Sequence, residues 1–318
     1  MQLDGPARRL KEEMRESGVH LDVRPEAFVL AIAELDHARR PPLFEGRRSF
    51  HCAIVLDGAT LDDSPFDVEV IDIPHDLDTA REMADGRSSF VLRRTDTPTV
   101  GLACFEQPLQ FESDLVRLHQ ATGALLVQRT ARFEVVRLFA DDQVVTWDGR
   151  SWRAHPTASE LSARLVGAEG LSADARLTVD RVLELALHWL SPSRAGATFV
   201  IGPELDGHHD RSATVGSLPL SVRERRHFAP LRALLSQRDL ATTVDPCGQI
   251  TAVGVGLHTS DEANREVVGS GGMRHRSAQR TSYDHPDHVI VVVSEDGPVT
   301  VYRAGQVVAA SEGTDPPV

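Results

Sequence analysis

Residues 269–282 read Gly-Ser-Gly-Gly-Met-Arg-His-Arg-Ser-Ala-Gln-Arg-Thr-Ser, a glycine-rich turn that hands two arginines and a histidine to what the pattern predicts is a helix start. This combination suits phosphate binding. Gly271 and Gly272 have no Cβ, so their N–H groups can approach an anion. A helix start adds free donors, and the guanidinium forks of Arg274 and Arg276 match phosphate oxygens in pairs. A plain loop ahead of a basic helix start would read the same way, so context decides. The only lysine is Lys11. A Walker loop, a kinase-type nucleotide lysine and a Schiff-base lysine each lack their residue. Any grip on nucleotide phosphates therefore falls to arginine.

The elements around this turn predict a mixed α/β unit. From Leu177, apolar residues at three- and four-residue steps (Val179, Val182, Leu183, Ala186, Leu187, Leu190) predict a helix ended by Ser191-Pro192-Ser193. Residues 196–202 form a buried strand, and residues 220–237 read as largely helical, with Pro230 starting the final piece. That helix runs into Asp239-Leu240-Ala241. Strands follow at 250–254, 289–294 and 299–303, the last two joined by a Glu-Asp-Gly turn.

This order of parts resembles the diadenylate cyclase domain family, and is similar to the nucleotide-binding domain of the DNA-integrity-scanning cyclase and its relatives. The resemblance covers about residues 177–310. It is carried by Gly196-Ala197-x-x-Val200-Ile201-Gly202, by Leu231-Arg232-x-Leu234-Leu235 leading to Asp239-x-Ala241, by Gly272-x-Arg274-His275-Arg276-Ser277-Ala278, and by Val291-x-Val293-Ser294-Glu295. Two positions depart from the family pattern. The acidic motif Asp-Gly-Ala is Asp239-Leu240-Ala241 here, and Met273 stands where threonine is usual. Both changes add bulk beside the expected nucleotide. A literal Asp57-Gly58-Ala59 lies 217 residues before Arg274, whereas Asp239 lies 35 before it, and only the shorter separation fits. Asp57-Gly58-Ala59 reads as a strand end entering a turn.

The resemblance implies a metal-dependent cyclase that makes cyclic di-AMP from two ATP. Joining two nucleoside triphosphates has a ribose hydroxyl attack an α-phosphorus while pyrophosphate leaves, so negative charge gathers on phosphoryl oxygens. Asp239 is then the metal-binding carboxylate, with Glu295 as a second acid beside Mg2+ or Mn2+. Arg274 and Arg276 grip phosphates, with Gly271, Gly272 and the helix start adding neutral donors. His275 orients a phosphate or donates to the leaving group. Ser277 matches the hydroxyl residue that closes the phosphate loop, Leu257 matches an apolar contact near the base, and Ser294 belongs to the Val-Ser-Glu block. Leu240, Ala241 and Met273 line the same pocket. Face-to-face homodimers are implied as the active form, because each protomer binds one ATP. Other readings of single residues stay open: Asp239 as a helix end, Glu295 as turn chemistry, and Gly207-His208-His209-Asp210 as an exposed polar loop or a metal ligand set. A domain that binds nucleotide without turnover, or a regulatory subunit, also fits Leu240 and Met273. Arg223-Glu224-Arg225-Arg226-His227 reads as a solvated helix face.

The 318-residue chain exceeds the usual size of a single core, and the expected division is an amino-terminal α/β domain over 1–155, a linker over 156–176, the cyclase-like domain over 177–312 and a disordered tail over 313–318. In the first half, β-rich runs at 49–57, 68–74, 90–94, 100–106, 124–128, 133–140 and 143–147 alternate with helical spacing at 75–85 and 111–120. Family resemblance implies a sensor or assembly role for it. The net charge of −13 argues against nonspecific DNA or anionic-membrane binding. The first residues lack the apolar segment of a secretory signal, so a cytoplasmic location is expected. Cys52, Cys104 and Cys247 show no Cys-x-x-Cys spacing and read as small core residues.

Overall fold

The structure, a computed structural model, describes residues 5–40, 43–44, 47–48, 50–74, 76–109, 111–129, 135–147, 149–165, 171–205, 209–210, 215–268 and 271–311. Both halves are α/β, each a mixed sheet flanked by helices. The chain divides into two compact units, Met1–His155 and Pro156–Val318. The expected tail at 313–318 lies outside the described residues, as do parts of the predicted strand at 133–140 and of the glycine turn (Gly269, Ser270).

The first unit runs α1 (Gly5–Glu16), α2 (Pro25–Arg39), the short pair β1 (Leu43–Phe44) and β2 (Arg47–Arg48), β3 (His51–Leu56), β4 (Val68–Ile73), α3 (Leu77–Met83), β5 (Ser89–Arg94), β6 (Val100–Phe105), α4 (Glu112–Thr122), β7 (Leu125–Arg129), β8 (Val136–Ala140), β9 (Gln143–Trp147) and β10 (Trp152–Pro156). Eight strands form one sheet in the order β10-β9-β8-β7-β3-β5-β6-β4. Central β3 is buried on both faces, and its two-residue alternation feeds two cores. Ala53 and Val55 pack with Met14 of α1 and Ile32 and Leu35 of α2. Cys52, Ile54 and Leu56 pack with Leu115 and Leu118 of α4. Of the cysteines, Cys52 is buried, Cys104 is half-buried, and Cys247 is exposed in a turn rather than in a core.

A buried ion cluster pins α2 and α3 to this sheet. Glu34 of α2 is fully buried and accepts from Arg81 of α3 at 3.1 Å through both Nε and Nη2, and from Arg93 Nη1 of β5 at 2.6 Å. His51 Nε2 of β3 lies 3.2 Å from its carboxylate. Burial alone works against the Glu34 charge, but the His51 and Arg81 contacts override it and hold the carboxyl down at about 2. Beside it, burial and then the His51 and Arg81 charges depress the His37 imidazole to about 4.

The second unit begins with α5 (Ala158–Ala163) and α6 (Ala173–Leu185). Ser172 Oγ caps α6 by accepting from Ala175 N, so this helix starts four residues ahead of Leu177, inside the stretch read as linker. It ends in a π-helical turn, Ala186–Leu190. Then come β11 (Ala197–Ile201), β12 (His209–Asp210), α7 (Phe228–Leu235), β13 (Ala241–Val244), β14 (Ile250–Leu257), α8 (Asp261–Glu266), α9 (Met273–Asp284), β15 (Val289–Val293), β16 (Val299–Arg303) and β17 (Gln306–Ala310). The sheet order is β12-β14-β13-β11-β15-β16-β17.

The predicted helix over 220–237 shrinks to a 3-10 turn at Arg225–His227 followed by α7. Residues 220–222 instead join the sheet margin: Leu220 O accepts from Ile250 N, and Val222 N donates to Gly248 O. Pro230 falls in the first turn of α7, where its missing N–H costs no helical bond. Nor is the arginine-rich segment a solvated face. Arg223 donates to Thr178 Oγ1 and Asp174 Oδ1 of α6 and to Pro246 O, and Arg225 pairs with Glu184 of α6. Among the described residues, no helix is long and apolar enough to cross a membrane.

The Glu34 cluster sets a pH dependence. Both Glu34 and His37 have folded pKa values below their ordinary 4.5 and 6.5, so the unfolded chain takes up protons first as pH falls. Their contribution is complete above about pH 6.5. It falls first through His37 protonation between 6.5 and 4, and then through Glu34 between 4.5 and 2. The Glu34 part amounts to about 3 kcal/mol. Denaturant unfolding of wild type and Glu34→Gln from pH 7 to pH 3 should show the variant less stable at neutral pH, with the difference shrinking in acid.

Candidate active site

Strand register gathers the chemistry-bearing residues at one end of the second sheet. Parallel β11 and β13 begin together, with Thr198 opposite Ala241, so Gly196 and the Asp239-Leu240 pair lie at the same end. Antiparallel β15 ends there, Val293 facing Ala197, which delivers Ser294 and Glu295. Antiparallel β14 does the same for Leu257, since Val255 faces Ala241.

At this end Arg274, from the first turn of α9, meets both acids. Its Nη2 lies 3.0 Å from Asp239 Oδ1 and 3.5 Å from Glu295 Oε1. Arg274 is three-quarters covered, whereas Asp239 and Glu295 are 80% and 76% exposed, so the site opens to solvent. The Asp239 carboxyl sits below its ordinary range, held there by the N–H of Leu240 at 2.8 Å and then by the Arg274 hydrogen bond. It is therefore a carboxylate at neutral pH.

Gly196 makes room for this contact. A Cβ there would lie 2.9 Å from Glu295 Cγ and 3.0 Å from Arg274 Cζ, and closer still to Arg274 Nη1. Only glycine lets the guanidinium rest against the start of β11. Sequence reasoning placed Gly196 at the head of a strand and gave it no role in the site, because nothing in a linear pattern tells that a side chain 78 residues later will press on it.

Arg276 is exposed and makes no ion pair among the described residues. With α9 beginning at Met273, positions 274 and 276 are about 200° apart around the axis, so the two guanidiniums leave the helix on different sides. His275 lies between them. Its Nδ1 is 2.8 Å from the Tyr302 hydroxyl of β16. Burial, and then the Arg274 charge, lower the His275 pKa, while burial raises the Tyr302 hydroxyl to about 12. A neutral imidazole therefore meets a protonated phenol, and with that phenol donating to Nδ1 the ring carries its proton on Nε2. Tyr302 is a second residue that sequence reasoning missed. Its only signal was a lone aromatic in β16, out of phase with the inward Val299 and Val301.

The start of α9 is built to receive an anion. Gly272 is its N-cap and offers no side-chain bond, and the first turn holds no acid but does hold Arg274. A cation there opposes the helix dipole until negative charge arrives, and no N-cap side chain satisfies the N–H groups of the first turn. Gly271 adopts φ +83, a left-handed turn that glycine enters without penalty.

The remaining predicted residues take varied places. Ala241 is buried, so it offers only main chain, while Leu257, Ser277 and Ser294 are half-buried. Met273 is 76% exposed and Leu240 50% exposed, flanking the Arg274–Asp239 pair in sequence. Leu240 has φ +71, the left-handed conformation that the glycine of Asp-Gly-Ala adopts freely. Of the Gly207–Asp210 cluster, 207 and 208 lie outside the described residues, while His209 and Asp210 pair with Leu257 and Gly256. Asp57 directly follows β3 and pairs with Arg24, with Gly58 in a bend at φ +70.

Among the described residues no group of three or more His, Cys, Asp or Glu side chains gathers as a metal site. Asp239 and Glu295 supply two hard oxygen donors on one side of a shared cation. That donor set fits Mg2+ or Mn2+, which are commonly held by one or two carboxylates with phosphate oxygens and water completing the shell.

Two family models match the chain, one over each unit. Residues 184–307 match the family model DAC, described as "DisA bacterial checkpoint controller nucleotide-binding". The second unit belongs to the DAC, or diadenylate cyclase, family. Residues 8–156 match a second model, "Probable sensor domain DACNK". Among solved structures, a hypothetical membrane spanning protein from Bacillus cereus is 19% identical over 49% of this chain and 71% of its own, with a TM-score of 0.32. A double mutant of DacA from Staphylococcus aureus is 21% identical over 45% of this chain and 91% of its own, with a TM-score of 0.31. Comparison with curated proteins gives no match.

Two substitutions test the DAC site directly. Gly196→Ala should push Arg274 off both carboxylates and weaken binding of a nucleoside triphosphate about tenfold, with little change in melting temperature; titration calorimetry and thermal unfolding read the two effects separately. Leu240→Gly should raise stability by about 0.5 to 1 kcal/mol by removing left-handed strain, measured by denaturant unfolding.

Proposed function

We propose that the chain is a metal-dependent diadenylate cyclase that condenses two ATP into cyclic di-AMP and releases two pyrophosphates. The observation that carries this reading is the convergence of Asp239, Glu295 and Arg274 beside the uncapped start of α9. The α9 start and Arg274 bind the triphosphate, and Arg276 extends the grip from its own side of the helix. As a ribose hydroxyl attacks an α-phosphorus, a new O–P bond forms, the bond to pyrophosphate breaks and the hydroxyl proton departs. Asp239, ionised at neutral pH, is suited to orient that hydroxyl. His275, neutral and braced by Tyr302, directs an N–H toward a phosphate oxygen. A Mg2+ or Mn2+ ion held by Asp239 and Glu295 would supply charge neutralisation at the phosphoryl oxygens.

The openness of the site supports a homodimeric active form. With both carboxylates largely exposed, one protomer covers one side of a bound ATP, and the second reactant comes from a facing copy. A second reading is favoured by Leu240 and Met273, whose apolar side chains stand exposed beside the carboxylate and the arginine. In that reading the domain binds nucleotide and signals without turnover.

Incubation with ATP and Mn2+ or Mg2+, followed by mass spectrometry, separates the two. The cyclase reading expects cyclic di-AMP from wild type, loss of product by about a hundredfold or more in Asp239→Asn with ATP binding retained, and a rate per protomer that falls on dilution. Nucleotide-induced thermal stabilisation with no product, and product appearing only in Leu240→Gly, would instead establish the sensor reading.

A further inference from the structure

The first unit holds a cavity of about 530 Å3 between α1 and α2. Its wall on α1 carries Arg8, Lys11 and Arg15, spaced at three and four residues and so aligned on one helix face. Its floor is apolar, with Met14, Val19 and Phe28 at 2%, 3% and 7% exposure. Lys11 holds its ammonium 5.0 Å from the centre of the Phe28 ring, over the floor rather than out in water. The charge is one-sided. All the charged residues that line the cavity are bases, in a chain with 47 acidic residues against 34 lysines and arginines. Of the three acids of α1, Glu13 pairs with Arg39 at 2.9 Å, Glu12 and Glu16 are exposed and lie outside the lining, and Arg8, Lys11 and Arg15 make no ion pair among the described residues.

We infer that this cavity binds a small organic anion, its acidic group on the Arg8–Lys11–Arg15 face and its apolar body on the Met14, Val19 and Phe28 floor. Three cations lining one cavity with no acid in its walls repel one another, and an anion relieves that repulsion where water can only screen it. Such a ligand suits a cavity of this volume, which falls within the range of roughly 300 to 1,000 Å3 usual for small-molecule sites. A phosphate monoester and a carboxylate share the chemistry that this face recognises. The inference is independent of what the second unit does, since every residue it uses lies in α1, α2 and the chain between them.

Titration calorimetry on the full chain tests it with three probes of one shape: 1-naphthyl phosphate, 1-naphthoate and neutral 1-naphthol. The expected result is one-to-one binding of at least one of the two anions, about tenfold or more tighter than naphthol and weakening as salt rises. Lys11→Glu combined with Arg15→Glu should weaken the anion about tenfold or more, with Arg8→Glu as a second, single-site variant. Arg9→Glu changes the same charge on an α1 residue outside the cavity and should leave binding within about twofold of wild type. Arg276→Ala should also leave it unchanged, which separates this cavity from the α9 start. Equal binding of all three probes, loss of binding only in Arg276→Ala, equal loss in Arg9→Glu, or binding to anionic phospholipid vesicles with none to the soluble probes would overturn the inference.

Discussion

The second unit is organised around one guanidinium shared by two carboxylates. Arg274 comes from the first turn of a helix, Asp239 from the lead into one strand and Glu295 from the exit of another, and no two of the three are neighbours in the chain. They meet because β11 and β13 run parallel while β15 and β14 run against them, so two strand starts and two strand ends fall on a single rim. The contact also needs a missing side chain. Gly196 leaves the space in which the Arg274 head lies, so a backbone position with no polar side chain of its own decides where the charge sits.

The sequence made the charged part of this rim legible and left its mechanical part hidden. Asp239, Arg274 and Glu295 stand at motif separations that can be read in a line of letters, and the helix start after Gly272 follows from the glycine turn. What Gly196 and Tyr302 do is fixed by approach in space, which no periodicity encodes. The same limit separates Arg274 from Arg276. As letters they form a pair, but a helix that begins at Met273 turns them to different sides. Leu240 shows a further case: its departure from glycine was plain in the sequence, whereas its left-handed backbone became visible only in the fold.

In the first unit the hidden elements were α1 and α2. Helix α2 is apolar nearly all round from Ala27 to Leu35, because it lies between the sheet and α1, so it lacks the polar face that makes a surface helix easy to recognise. Its one buried acid, Glu34, looks like a surface residue in the sequence and is instead the centre of a cluster reaching α3, β3 and β5. Strands written as continuous apolar runs bounded by turn residues, β3 above all, could be read directly. In the second unit the stretch 220–237 misled for another reason: Phe228, Leu231, Leu234 and Leu235 have helical spacing and the charged run before them reads as its continuation, but Arg223 and Arg225 are drawn to α6 and Pro246, and the sheet margin takes the backbone before a helix can begin.

The φ of +71 at Leu240 constrains which residues this position can accept in an unusual way. Half of the side chain faces solvent, so volume there is cheap and a long, unbranched residue is tolerated. Branching at Cβ is what the left-handed backbone resists most, which would exclude valine, isoleucine and threonine while admitting asparagine beside glycine. The loop that carries the carboxylate is thus selective for the shape of a side chain at its root and nearly indifferent to its length.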